Sequence, residues 1–457
     1  MKKIIFTISL VLILAISSFT AFAQDQIIVN IDSNKVEFNE EIGMPFIDEN
    51  GRTQVPFRAT LEKYGATVDW NVESSIAIAT IGDTTVEVPV GENFILKNGE
   101  EIATDTVAVI VDGRTYLPIR PVIEAFGSEV QWDMGLNTVV ITTEPIDAKG
   151  IFTEANNKSY EWENCDANVV IDMSMPVPDE TGNVQTMDMK VNMYMTMFMN
   201  PLKAKISADM SMNVMGEEMI VPVMDMYMNV DEDNYTTYMG MNDGTDSITW
   251  MKSTVEDELF AELLNYDEET IKENKELTEK YIEDVKYFGK YTDESGKSLL
   301  RMEYTMSGDI YKDMFGEYVE ELSNSTNEQE LMTAEMLKSF VDGELGDLTF
   351  IVYIDEESGE IIKYEMDLGN MILSMVSGMT GIVGEIPEEE LELLKEMKAT
   401  MVMDILNINE AEDFEIPEDA LNAPDVSEME LDTVPTPETE DASEVETETE
   451  ETDSEEE

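Results

Sequence analysis

From Met187 to Met199 apolar and polar positions alternate. Met187, Met189, Val191, Met193, Met195, Met197 and Met199 hold the odd positions; Asp188, Lys190, Asn192, Tyr194 and Thr196 hold even ones, with Phe198 the exception. A period of two is that of a strand with one buried face. The pattern recurs at Ile171, Met173, Met175 and Val177, at Ile206, Ala208, Met210, Met212 and Val214, and at Met224, Met226, Met228 and Val230. Four one-sided strands joined by short polar turns predict an antiparallel sheet with one apolar face. The period then changes. Ser253 to Glu256 fits a helix capping box, with Val255, Leu259, Phe260, Leu263 and Leu264 as its stripe. Further helical stripes run through Ile310, Met314, Phe315, Tyr318, Val319 and Leu322, and through Leu331, Met332, Met336, Leu337 and Phe340. Strands are expected again at 348–354, 361–368 and 399–408. A long sheet curled into a half-barrel, with helices on its apolar side, is an α+β architecture.

The first part of the chain carries an internal repeat. GRTQVPFRATLEKYGATVDWN from Gly51 and GRTYLPIRPVIEAFGSEVQWD from Gly113 align without a gap, 62 residues apart. Pro56 and Pro118 suit a first helical position, and Gly65 and Gly127 suit a helix stop. Phe57, Leu61 and Tyr64 form a stripe matched by Ile119, Ile123 and Phe126. Flanking segments at 27–31, 76–81, 107–111 and 139–142 alternate like strands. The expected product is a small domain of two intertwined strand-rich units, each with a short helix.

This doubled GRT-x-[VL]-P-x-R … E-x-x-G … V-x-W pattern resembles the copper amine oxidase N-terminal-like domain, common in exported proteins of Gram-positive bacteria. The resemblance covers about residues 27–144 and implies a non-catalytic stalk or attachment module. The family's oxidase core is a separate, larger domain with histidine-held copper and a quinone made from tyrosine. Asn265-Tyr266-Asp267 has the look of that tyrosine's setting, but the chain contains no histidine, so such a copper centre has no ligands here. The motif residues Arg52, Arg58, Trp70, Arg114, Arg120 and Trp132 are expected to serve the fold. Arg58 and Arg120 lie in first helical turns, where the helix dipole disfavours a cation. Glu62 and Glu124, four residues on, give the weaker orientation of a helix ion pair. A partner beyond the helix is therefore expected: carbonyls, a carboxylate, or an anionic cell-wall component.

Composition narrows the chemistry. Among 457 residues, 27 Lys and Arg face 100 Asp and Glu, a net charge of -73. Nucleic acid and anionic lipid would repel such a chain. Without histidine there is no imidazole base, triad or metal ligand, and no catalytic residue or metal site is assigned. Cys165 is the single cysteine, so no internal disulfide exists. Lys2 and Lys3, an apolar run from Ile4 to Ile16 and Ala21-Phe22-Ala23 read as a secretory signal over 1–23. Gln24 at the following position implies no lipid anchor, and no later segment reads as a membrane span. The expected organisation is a first domain at 24–145, a linker at 146–159, a methionine-rich domain at 160–424 and an acidic tail at 425–457. That tail holds sixteen Asp and Glu and should be disordered. It would solubilise the chain, or loosely capture Ca²⁺ or a basic surface.

The order of the second domain resembles the LolA/LppX-like exported proteins of lipoprotein-localisation fold. The likeness rests on Trp250-Met251-Lys252, Val352-Tyr353-Ile354-Asp355 before a Ser-Gly turn, and Ile416-Pro417-Glu418-Asp419-Ala420. That likeness implies a concave apolar face able to hold an acyl chain. Candidate lining residues are Met187, Met189, Met193, Met195, Met197, Met210, Met212, Met224, Met226 and Met228. The same thioethers could bind Cu(I). Against a metal trap, they follow sheet parity together with Val, Ile and Ala, and methionine fills apolar gaps adaptably. Met371 to Val383, with Gly378, Gly381 and the adjoining Gly384, reads as an added core helix or as a lid. The expectation is an exported, non-catalytic envelope protein without cofactor. It would bind lipid or another hydrophobic ligand, or serve as a purely structural, wall-associated component.

Overall fold

The computed structural model describes residues 26–178, 184–214, 217–230, 234–242, 248–256, 268–325, 346–369, 371–372 and 395–426, with Leu331, Ala334, Leu337 and Lys338. The expected signal segment, the tripeptide at 265–267, most of the 371–383 stretch and the tail beyond Val426 lie outside them.

The first domain begins with β1 (Ile28–Ile31), β2 (Asn34–Lys35), β3 (Phe46–Ile47), β4 (Thr53–Pro56), α1 (Phe57–Tyr64), β5 (Thr67–Asn71) and β6 (Ile76–Ile81). It continues with β7 (Thr84–Pro89), β8 (Phe94–Lys97), β9 (Glu100–Ala103), β10 (Val109–Val111), β11 (Arg114–Pro118), α2 (Ile119–Ala125), β12 (Glu129–Asp133) and β13 (Thr138–Thr142). These strands make three small sheets, ordered β12-β13-β1-β2, β10-β11-β4-β3 and β5-β6-β7-β8-β9. In β4 and β11, Val55 lies opposite Leu117, its counterpart at the 62-residue offset. Tyr64 and Phe126, another such pair, meet with ring centroids 5.8 Å apart. Phe57, Leu61, Ile119 and Ile123 are buried in one core, as their stripes require. Fully burying a residue such as Leu61 contributes about 1.5–3 kcal/mol. Pro56 and Pro118 are not the first helical residues; each ends a strand and immediately precedes its helix. Gly65 stops α1 at φ 101°, a conformation that suits glycine.

The expected linker is largely helical: α3 spans Ala148–Ser159. Its sequence carries a cap and an apolar face. The Asp147 carboxylate accepts the Gly150 N–H at 2.9 Å, and Phe152 and Ala155 are buried in the core of the larger domain.

That domain is built on one sheet of eleven strands among the described residues, a curled half-barrel. In chain order they are β14 (Asn164–Pro178), β15 (Val184–Met199), β16 (Leu202–Val214), β17 (Glu217–Val230), β18 (Asn234–Asn242) and β19 (Ile248–Glu256). After α4 (Glu268–Tyr281) come β20 (Ile282–Thr292), β21 (Ser298–Met306), α5 (Ile310–Ser323), β22 (Leu348–Asp355), β23 (Ile361–Asp367), β24 (Lys398–Leu406) and α6 (Glu418–Leu421). The order across the sheet is β19-β18-β17-β16-β15-β14-β24-β23-β22-β21-β20, all antiparallel. The strand parity is as expected: Met195 faces Ile206, Met193 faces Ala208 and Met189 faces Met212. The register shifts between Ala208 and Met210, opposite a stretch of β17 that holds Pro222. Proline has no N–H for the ladder, and a bulge accommodates it.

One expected helix start is not where its capping box stands, and the rest of that helix's stripe, Leu259, Phe260, Leu263 and Leu264, lies outside the described residues. Ser253 to Glu256, expected to cap a helix, lies in β19, with Ser253 opposite Thr237. Tertiary pairing overrides the local capping signal there. Helix α4 comes later, where the apolar stripe is thin, and Asn274 and Thr278 meet the Tyr160 hydroxyl from α4.

Candidate functional site

Alternation in β14 to β17 turns one row of side chains into the domain's core. Met189, Met193, Met195, Met197, Met226 and Met228 are only 3–6% exposed. Met210, Met212 and Met224 are half-buried and pack against the same cluster, while Met187 is half-buried near the strand's start. The cluster continues through Met401 and Met403 of β24 and Met302 and Tyr304 of β21. Phe152 of α3 packs on Tyr304 at 4.4 Å, and Tyr304 stacks on Phe350 at 4.9 Å. Ile310, Tyr311, Met314, Phe315 and Val319 of α5 and Met371 and Ile372 belong to this core. Burial, with Asp166 beside it, pushes the Cys165 thiol up to about 12, so the cysteine is a neutral core residue. This face offers neutral, polarizable thioethers and hydrocarbon. Among the described residues no group of three or more Cys, Asp and Glu is placed to hold a metal ion.

The opposite face carries polar and aromatic contacts. Phe414 packs on Tyr227 at 5.8 Å, and Tyr227 on Trp250 at 5.8 Å, with Ile416 and Ala420 in the same small cluster. Thus Trp250 and the Ile416–Ala420 segment, far apart in sequence, meet. Lys203 binds the Asp413 carboxylate at 2.6 Å and the Phe414 carbonyl.

The first-domain motif residues separate into different environments. Arg52 pairs with Asp105 at 2.6 Å. Arg114 donates to the carbonyls of Glu41 and Glu40 at 3.0 and 2.9 Å. Arg58 corrects the expectation of a partner beyond its helix, since it pairs with Glu62 at 3.0 Å on α1 itself. Both side chains are more than half exposed, so water screens the unfavourable placement. Arg120, the equivalent residue of α2, has no ion pair among the described residues and lines a cavity of about 640 Å³ with Arg52, Asp105, Gln131 and Trp132. Trp70 and Trp132 are half-buried against the domain core.

One group was not identified from sequence. Arg301 of β21 donates to both oxygens of Asp133, at 2.7 and 3.0 Å, and to Tyr353 and Glu365. Arg301 and Asp133 are each 2% exposed. Burial works against the guanidinium charge, but Asp133, Tyr353 and Glu365 outweigh it and hold the group protonated. The available signal was a difference between repeats: Trp70-Asn71 in the first becomes Trp132-Asp133 in the second.

No helix among the described residues is long and apolar enough to cross a membrane. No curated protein matches the chain. A solved structure of a DUF1329 family protein from Desulfovibrio piger is similar over 58% of this chain and 94% of that one, at 10% identity and a TM-score of 0.16, a likeness too weak to bear on the fold. The first domain matches a family model over residues 30–141, about a quarter of the chain, and the family is the copper amine oxidase N-terminal domain.

Proposed function

We propose that this is an exported, non-catalytic cell-envelope protein. In this proposal the first domain, two copies of one strand-rich unit, is a stalk or attachment module. The half-barrel, with helices on its inner face as in LolA-like proteins, carries a lipid or another hydrophobic ligand. The observation that carries this is the inner face of β14 to β18. Methionines line it as a continuous apolar row, buried at Met193, Met195 and Met197 and less covered at Met187, Met210, Met212 and Met224. Unbranched thioether side chains repack around ligands of varied shape at little cost. The first domain and the sheet are joined through the Arg301–Asp133 contact, which suits a stalk holding its cargo domain in a fixed orientation.

Native mass spectrometry of the intact chain isolated from its envelope, followed by organic extraction, tests carriage. A co-purifying acyl species supports it. An empty chain that also fails to take up added fatty acid rejects it in favour of a purely structural envelope protein. The low exposure of the central methionines is the observation that favours that second possibility. Cu(I) binding by the same thioethers is tested by metal analysis after loading under reducing conditions, where less than one ion per chain rules it out.

A further inference from the structure

We propose that the cavity beside α2 in the first domain is a binding site for an acidic saccharide, a sugar chain bearing carboxylates. This site is separate from the methionine face, and the proposal stands whether or not that face carries a ligand. The repeat supplies the central contrast. Arg58 and Arg120 stand 62 residues apart in matching sequence, each followed four residues on by glutamate. Arg58 is neutralised by Glu62 at 3.0 Å. Arg120 makes no ion pair with Glu124 or any other described carboxylate, and it lines the cavity instead. The other four arginines are all engaged, Arg52, Arg58 and Arg301 by carboxylates and Arg114 by backbone carbonyls, so Arg120 stands apart in having no partner among the described residues.

The rest of the cavity fits the same ligand class. Its volume, about 640 Å³, lies within the range of about 300–1,000 Å³ usual for small-molecule sites. Trp132, half-buried, offers an indole surface on which the C–H face of a sugar ring packs. Gln131 and the paired Arg52 and Asp105 supply hydroxyl-directed donors and acceptors around the wall. The Arg120 guanidinium supplies two parallel donors to a carboxylate. Ile47, 47% exposed, adds apolar surface to the lining. An aromatic plane, a free guanidinium and a neutralised Arg–Asp pair match a ring that is apolar on one face, hydroxylated at its edge and acidic at one position.

The test is titration of the full chain with an oligosaccharide of galacturonic acid, followed by calorimetry, beside its methyl-esterified form. Saturable binding of the acid form, about tenfold weaker in Arg120→Gln and in the ester, is expected. Arg58→Gln should bind like the parent chain. Arg120 is exposed, so its substitution should leave the thermal midpoint unchanged, which separates lost binding from lost folding. No binding of the acid form, equal binding of the ester, or undiminished binding by Arg120→Gln would overturn the proposal.

Discussion

Arg301 of the eleven-stranded sheet grips Asp133 of the first domain through two hydrogen bonds, at 2.7 and 3.0 Å, across 168 positions of sequence. The pair is shut away from water, and the Tyr353 hydroxyl and the Glu365 carboxylate both accept from the guanidinium's Nη1. Arginine's planar fork matches a carboxylate in this way, and lysine would not. Asp133 also accepts the Leu136 N–H at 3.2 Å, the turn contact that Asn71 makes in the first repeat with Glu73 and Ser74. One position thus keeps its local turn role in both repeats and gains an interdomain role in the second.

Removing the charge on one side strands the other in a dry place. Asp133→Asn keeps the shape and the turn bond but leaves Arg301 without its main counter-charge, and should cost about 3 kcal/mol. The double change Arg301→Met with Asp133→Leu should recover much of that loss, because neither charge then needs solvating. Breaking the exposed Arg58–Glu62 pair by Glu62→Gln should change stability by less than about 1 kcal/mol. Urea unfolding measures all three. Equal midpoints for Asp133→Asn and Glu62→Gln would refute the interdomain lock.

Stability should fall at alkaline pH. Burial raises the Cys165 thiol from 9.0 to about 12, and raises the hydroxyls of Tyr304, Tyr311, Tyr353 and Tyr364 above their usual 10.0. A raised value means the unfolded chain releases its proton first. The stabilisation is therefore complete below about pH 9 and is lost as pH rises through that range toward 12. Cys165 alone sets a slope of about 1.4 kcal/mol per pH unit in this window. At the acid end Asp48 acts in the opposite sense. Burial would raise its value, but hydrogen bonds from Thr106, Gln54, Arg52 and Asn50 together lower it. Its contribution is present above 3.8 and lost as pH falls below that. Urea midpoints that stay level between about pH 9 and 11 would contradict the alkaline half of this account.

Methionine burial varies along the sheet, and oxidation should follow it. Among the described methionines Met134, 77% exposed in the first domain, should become sulfoxide first under dilute peroxide. Met173 and Met302, with no exposed surface, should resist until the chain unfolds. Peptide mapping against time reads the order. Met173→Ala should cost about 2–5 kcal/mol through the cavity it leaves, whereas Met173→Leu should cost under about 1.5. Early oxidation of Met173 in the folded chain would mean that the inner face is open to water.

The methionine strands were legible because period-two alternation survives wherever one sheet face is buried and the other is wet. Met193 to Met197 needed nothing else to be placed. Strand β20 carries no such signal, whereas β21 does alternate over a shorter run, Leu300, Met302, Tyr304 and Met306 against Arg301, Glu303 and Thr305. In β20 the register breaks between Ile282 and Asp284 and again between Tyr287 and Lys290, so apolar residues lose their alternation. Helix α4 was missed because Ile271, Leu277 and Tyr281 are thinly spaced, and its contact with Tyr160 is made by Asn274 and Thr278. The capping signal at Ser253 misled because Thr237 and its neighbours offered a strand partner that local sequence does not report. The Arg301–Asp133 contact joins residues that topology alone brings together.

The edge strand β19 is closed by the residue where the acidic tail was expected to begin. Asp425 accepts the Thr254 hydroxyl at 2.8 Å and its N–H at 3.4 Å, with the Lys252 ammonium at 3.6 Å. Next to it, the Pro424 carbonyl accepts the Lys252 N–H at 3.1 Å. Open sheet edges invite pairing with other chains, and these contacts occupy donors that β18 does not use. Asp425→Ala should therefore speed hydrogen exchange at Lys252 and Thr254 about fivefold, for a loss on the order of 1 kcal/mol in local opening. Exchange at the central strand β14 should not change, since β14 pairs on both sides with β15 and β24. The same variant should associate more readily at high concentration, read by light scattering. Should Lys252 and Thr254 exchange at the parent rate, Asp425 would be a bystander, and protection of that edge would have to come from the pairing with β18 alone.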